Sequence, residues 1–220
     1  MSLLDLFFPR KCPYCLKLIE RGMLECAECR SEFPKEPYIR TIPSGNECVS
    51  AFMYDSKIRD ALARYKFRGK REFYKSFGAV LANAVAESEI IADMVTSVPL
   101  SKKRLYMRGY NQSELIAREF AKILELDYAE TLIKCRDNLE QHTLNHEIRA
   151  ENIIGVYKPI DKINLQGKRV LLIDDIVTTG YTLSECCRIL SENNDVDITC
   201  ATVATCLLYT SPSPRDISGS

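Results

Sequence analysis

Residues 169–182 read RVLLIDDIVTTGYT, and this stretch decides how the chain folds and what it can hold. Val170, Leu171, Leu172 and Ile173 form a short unbroken apolar run of the kind buried on both faces of a parallel sheet. Asp174 and Asp175 follow at its end, then a hydroxyl-rich turn with Thr178, Thr179, Gly180 and Thr182, then the helical pattern LSECCRIL. Strand, acidic pair, Thr/Gly loop and helix together suit a sugar phosphate. A helix N-terminus offers unpaired N–H groups and partial positive charge to the phosphate. The Thr hydroxyls add donors, and Gly180 lets the backbone come close without a Cβ in the way. The carboxylates would take ribose hydroxyls, directly or through Mg²⁺, which prefers oxygen ligands.

Two acids after a strand ordinarily end it and cap the next helix, with threonines solvating the turn. The whole string points past that reading. It closely resembles the motif of type I phosphoribosyltransferases that binds phosphoribosyl pyrophosphate (PRPP), so a PRPP-type site is expected at these residues.

With 220 residues, 46% hydrophobic and 27% charged, the chain has room for one main domain and a small appendage. No apolar run approaches the ~20 residues needed to span a bilayer, so no membrane insertion is expected. The N-terminal LLDLFF is too short for a signal peptide, carries Asp5 and has no basic segment ahead of it. The expected compartment is the cytoplasm, where the ten cysteines fit metal binding and reduced core positions better than disulfides. Net charge is zero, yet twelve Lys/Arg against five Asp/Glu lie between Lys57 and Arg108. Polyanions or phosphorylated ligands should prefer this middle segment. The last stretch, LLYTSPSPRDISGS, has no apolar periodicity and looks like translated sequencing adapter, so 207–220 is set apart from the fold as a non-native tail.

Cys12-Pro-Tyr-Cys15 and Cys26-Ala-Glu-Cys29 are two C-x₂-C knuckles, and Gly22 between them suits the reversal that brings them together. Each would give two thiolates to one Zn²⁺ tetrahedron. A redox pair, which usually opens a helix after a strand, and disulfides are the alternatives. Four thiolates leave no open position, so the zinc would be structural and would supply folding energy to residues 1–45. Cys48, Cys135, Cys186, Cys187, Cys200 and Cys206 read as small apolar residues.

From Cys48 to Cys206 strand and helix patterns alternate. CVSAFMY, MVTSVPL, IIGVYKP, VLLIDD and DITCATVAT read as strands. Helices are expected from about Lys57, over FYKSFGAVLANAVAE, over NQSELIAREFAKIL with Asn111 or Ser113 as cap, and after Gly180. Such alternation implies an α/β domain over 46–206, a parallel sheet covered by helices on both faces, with ligands at the carboxyl ends of the strands. After MVTSVPL, Lys102, Lys103, Arg104 and Arg108 make a dense basic loop that suits a pyrophosphate. KKR clusters are more often solvated turns, but this one lies at a strand end. The polar stretch 136–157 holds Arg136, Gln141, His142, His146 and Arg149 without convincing metal spacing. It reads as a flap over ligand.

These pieces together resemble the ComF family (the ComFC/GntX type). The resemblance rests on the four knuckle cysteines, on Lys66-Phe67-Arg68-Gly69 at a helix end, and on the VPL…R…RGYNQ stretch from Val98 to Gln112. Gln141, Leu144, Arg149 and Asn152 match a further stretch, and the PRPP motif comes last. It implies a type I phosphoribosyltransferase-like fold preceded by a zinc ribbon. It also implies an accessory role in DNA uptake during natural transformation, beside a helicase-like ATPase, ComFA, and a recombination mediator, DprA. Three functions follow. The protein binds Mg·PRPP or a related ribose phosphate; or it is an active phosphoribosyltransferase, with Asp174 and Asp175 steadying the sugar while Arg104 and Arg108 hold the leaving pyrophosphate. In the third, the site is vestigial and Tyr65, Phe67, Tyr106 or Tyr110 stack on single-stranded DNA. Thr178 stands where 6-oxopurine enzymes place an Asp, which argues against hypoxanthine or guanine as the base.

Overall fold

A computed structural model describes residues 9–136, 155–160, 163–192 and 194–206. The elements, in chain order, begin with α1 (Ala27–Ser31), β1 (Tyr38–Thr41), β2 (Glu47–Met53) and α2 (Ser56–Phe67). Next come α3 (Tyr74–Glu87), β3 (Met94–Ser97), α4 (Lys102–Arg108), α5 (Gln112–Ile123), β4 (Asp127–Tyr128) and β5 (Leu132–Lys134). The chain then adds β6 (Tyr157–Pro159), β7 (Arg169–Val177), α6 (Tyr181–Ser191) and β8 (Asp197–Thr205).

Six strands form one sheet in the order β1-β2-β8-β7-β3-β4. Every neighbouring pair is parallel except β1–β2, an antiparallel hairpin at the edge. The expected α/β architecture is therefore present, with β7 and β8 central and apolar on both faces. Along β7 the alternation sends Leu171 and Ile173 to the face covered by α2, α3 and α5, and Val170 and Leu172 to the face covered by α6. Ile58, Leu62 and Tyr65 of α2 point into the first of these cores, as their helical spacing predicts. Helices α3 and α5 cross closely at Gly78, where a Cβ would lie 2.8 Å from Glu119 Cβ. Asn111 caps α5, accepting from the Ser113 N–H.

Five features depart from the sequence reading. The strand expected to stop before the acids runs through both of them to Val177, because β8 continues to pair with it through Thr205. The basic loop is a helix, α4, capped by Ser101 Oγ at one end and by left-handed Gly109 at the other. The strand at 157–159 is not in the main sheet; it pairs antiparallel with β5 in a separate two-stranded ribbon. Cys135 is exposed, whereas Cys48, Cys186, Cys187 and Cys200 are buried as small apolar groups should be. The main sheet begins at Tyr38, so its edge strand lies inside the segment assigned to the cysteine unit. The 207–220 tail lies outside the described residues.

Candidate functional site

Asp174 and Asp175 are successive residues of β7, so their side chains leave opposite faces of the sheet. Asp175 turns beneath the end of α2, where Lys66 Nζ lies 2.6 Å from its Oδ2. Both groups are withdrawn from water, with side-chain exposures of 18% for Lys66 and 4% for Asp175. Asp174 Oδ1 accepts from Ser113 Oγ at 2.6 Å and from the Asp175 N–H at 2.9 Å. Burial raises the Asp174 carboxyl to about 7; the neighbouring Asp175 charge adds to this, against the Ser113 hydrogen bond and Lys66. Either carboxylate would offer Mg²⁺ the oxygen ligand it prefers, but from opposite faces of β7 the two would not share one ion.

The Lys66–Asp175 pair was not assigned from the sequence. Its signal was the Lys-aromatic-Arg-Gly pattern, which marks a helix end without saying what the lysine meets. Lys66→Met should lower stability by about 3 kcal/mol, because the buried Asp175 carboxylate loses its counter-charge. Adding Asp175→Asn should return most of that loss. Urea unfolding measures both; a cost under about 0.5 kcal/mol for Lys66→Met would show the pair to be solvent-screened.

The turn after β7 delivers the chain to α6. Thr178 is exposed, Thr179 and Thr182 are half-buried, and Gly180 adopts φ +85° just before the helix. Gly180 is demanded by packing on the hairpin side: a Cβ there would lie 2.9 Å from Pro43 Cδ and 3.1 Å from Ile42 Cβ. No side chain caps α6 at its start, which suits the capture of an anion by its first-turn N–H groups.

Helix α4 carries the cations. Arg104 and Arg108 are one turn apart on a common face and half-buried, while Lys102 and Lys103 are exposed. Arg108 donates to Gln112 Oε1 at 2.5 Å and lies 5.0 Å over the Phe67 ring. Burial lowers its pKa, and the charge of Asp175 opposes that shift. The structure thus gathers Asp174, Asp175, Lys66, Ser113 and Arg108 around the carboxyl ends of β3 and β7. Of the aromatics considered for stacking, Tyr65 and Tyr110 are in the core. Tyr65 donates to the Gln112 carbonyl and Tyr110 donates to the Tyr65 carbonyl. They cannot stack on a base, whereas Phe67 and Tyr106 are 72% and 92% exposed. Gln141, His142, His146 and Arg149 lie outside the described residues.

Beside the start of α2 the thiol sulfurs of Cys12, Cys15, Cys26 and Cys29 lie within 4.8 Å of one another. Four thiolates about 2.3 Å from one zinc stand about 3.8 Å apart, so the cluster fits a tetrahedral ion. Cys26 caps α1, and the Cys29 N–H directed at its sulfur brings its thiol down to about 7. The unit does not stand apart. Tyr14 packs edge-on against Phe52 and Phe77, and its hydroxyl hydrogen-bonds with Ser76 at 3.1 Å. A crevice of about 550 Å³ opens beside it, lined by Phe33, Phe52, Val80 and Asn83 among others, away from the acidic pair.

A phosphoribosyl transferase domain model matches residues 111–216. The chain is 25% identical over 188 residues to DNA utilization protein YhgH of Escherichia coli K12, covering 83% of this chain and 78% of that one. It is 23% identical over 212 residues to Competence protein F of Haemophilus influenzae, covering 84% and 92%. Competence protein ComFC of Bacillus subtilis is 29% identical over 146 residues, 65% of this chain and 57% of that protein. These matches accompany the parallel sheet and the tetracysteine cluster: the chain is similar to DNA utilization and competence proteins, and its residues 111–216 match a phosphoribosyl transferase domain.

Proposed function

We propose that the protein binds PRPP or a related ribose phosphate, with Mg²⁺, and serves in the cytoplasm as an accessory factor in DNA uptake. The observation that carries the ligand is the acidic pair of β7 followed directly by the uncapped N-terminus of α6. In this reading Asp174 and Asp175 hold the ribose hydroxyls, and the Thr178–Thr182 turn holds the 5-phosphate. Arg104 and Arg108, with Lys102, Lys103 and Arg149, hold the pyrophosphate. Mg²⁺ supplies charge neutralisation of the pyrophosphate when bound. The biological role is supported by the names of the relatives, competence proteins and a DNA utilization protein. A ComFA-like ATPase and a DprA-like mediator are the partners the family resemblance suggests.

Calorimetric titration of Mg·PRPP into zinc-loaded protein should show saturable binding; its absence in folded protein would overturn the ligand reading. A screen of nucleobases for pyrophosphate release then tests group transfer at the same site.

Exposed Phe67 and Tyr106 beside basic α4 favour a second activity, single-stranded DNA binding by stacking and phosphate contact. Arg104→Ala with Arg108→Ala should weaken oligo-dT binding and lower the slope of log K against log salt by about 1.4, at ~0.7 per phosphate contact. An unchanged slope would remove α4 from the contact.

A further inference from the structure

The β1–β2 hairpin touches the turn between β7 and α6 at three independent points. Arg40 of β1 donates through Nη1 to the carbonyl of Thr178 at 3.0 Å and to that of Cys206 at 3.2 Å. Ile42 and Pro43 press against Gly180 so closely that no Cβ would fit there. The Ser44 N–H donates to Ser184 Oγ at 3.1 Å, in the first turn of α6. The hairpin is itself held to the sheet by the pairing of β2 with β8 and by Asn46, whose side-chain amide donates to the Ile198 carbonyl at 2.8 Å. A rigid sheet edge therefore braces one side of the turn.

We infer that Arg40 is a positioning residue for phosphate binding, setting the direction of the Thr179 N–H; this rests on the ribose-phosphate reading above. The Thr178–Thr179 peptide is planar and trans, so its C=O and N–H point in opposite directions. With the carbonyl tied to Arg40, the Thr179 N–H is aimed away from the hairpin. Ile42 and Pro43 close the hairpin side to any ligand, so an anion must approach from the side the N–H faces. A turn free to rotate would spend part of its time with the carbonyl lone pairs facing the phosphate, a repulsive arrangement. Arg40 removes that state before the ligand arrives, the sense in which oriented donors are preorganised. The 5-phosphate of a phosphoribosyl ligand feels this residue, whereas a pyrophosphate held by α4 does not.

The test uses the full chain with zinc bound. Ribose 5-phosphate and Mg·pyrophosphate are titrated separately into wild type, Arg40→Met and Arg40→Lys. Arg40→Met should weaken ribose 5-phosphate about tenfold, the size of one lost hydrogen bond to a charged group. Pyrophosphate should stay within about twofold, and Arg40→Lys, which keeps a donor on the stem, should recover part of the loss. The amide relaxation of Thr179 and Gly180, read by NMR without ligand, should show greater mobility in Arg40→Met. Unchanged ribose 5-phosphate affinity would overturn the inference, leaving Arg40 as a tie between strand ends. Equal weakening of both ligands with a lowered melting temperature would also overturn it, as a general loss of structure. If the wild type bound neither ligand while Thr179 still loosened in Arg40→Met, the ribose-phosphate reading would fail and the orienting of the turn by Arg40 would stand.

Discussion

Asp174→Asn with Asp175→Asn is expected to abolish Mg·PRPP binding, a loss of more than about 100-fold. Each carboxylate that accepts a sugar hydroxyl makes a charge-assisted hydrogen bond worth about 1.5–3 kcal/mol, and both would be removed. The fold should survive, for an asymmetric reason. Asp175 is anchored to a central strand and mostly withdrawn from water, so removing its partner is costly. Lys66 sits on a long stem at a helix end, and its ammonium can turn outward when Asp175 is replaced. Unchanged affinity in the double variant would sink the site assignment.

The titration of Asp174 adds a pH signature. Its carboxyl is raised from the ordinary 3.8 to about 7, chiefly by burial. The folded chain therefore prefers the protonated form. The stability this group contributes is full below pH ~3.8 and is lost as pH rises through about 7. The ionised form that accepts a ribose hydroxyl gains population over the upper part of the same window. Affinity for ribose 5-phosphate should thus rise between pH 6 and 8, beyond the ligand's own second ionisation near ~6. Asp174→Asn should remove the extra step. A wild-type profile that superimposes on that of the variant would show Asp174 to be unlinked to binding.

Loss of the metal should have the largest effect on stability. Cys29→Ser is expected to bring zinc from about one per chain to none and to lower the melting temperature on the order of 10 °C. Cys12, Tyr14 and Cys29 belong to the same core cluster as Phe52, Phe77 and Leu81. Unfastening the knuckles should therefore loosen the packing around α3 as well as the N-terminal unit. Atomic absorption on freshly reduced protein, with thermal unfolding of both forms, tests this. A zinc-free wild type that melts as high as the zinc-loaded protein would eliminate a structural metal.

The sequence by itself determined the elements whose evidence is local. The apolar run 170–173 can only be buried on both faces, the knuckle spacing gathers thiols, and the 3.6-residue pattern of Ile58, Leu62 and Tyr65 sets the buried face of α2. The motif around Asp174 likewise named its own residues, because a turn and the helix it starts are contiguous in the chain.

Contacts between distant segments were decided only by the tertiary structure. Nothing near Lys66 in sequence says that it meets Asp175, and nothing near Arg40 says that it holds the Thr178 carbonyl 138 residues away. The basic segment reads as a loop because its charges hide the cap supplied by Ser101 and the stop supplied by Gly109. Tyr65 and Tyr110 show the same limit. An aromatic with a hydroxyl suits either a stacking surface or a core, and only the packing of Tyr65 against Phe77 and of Tyr110 against Tyr65, each with a carbonyl partner, placed both inside. Periodicity along a chain records which face is apolar; which charge crosses to meet which carboxylate is set by how helices and strands pack, and that information is spread over the whole fold.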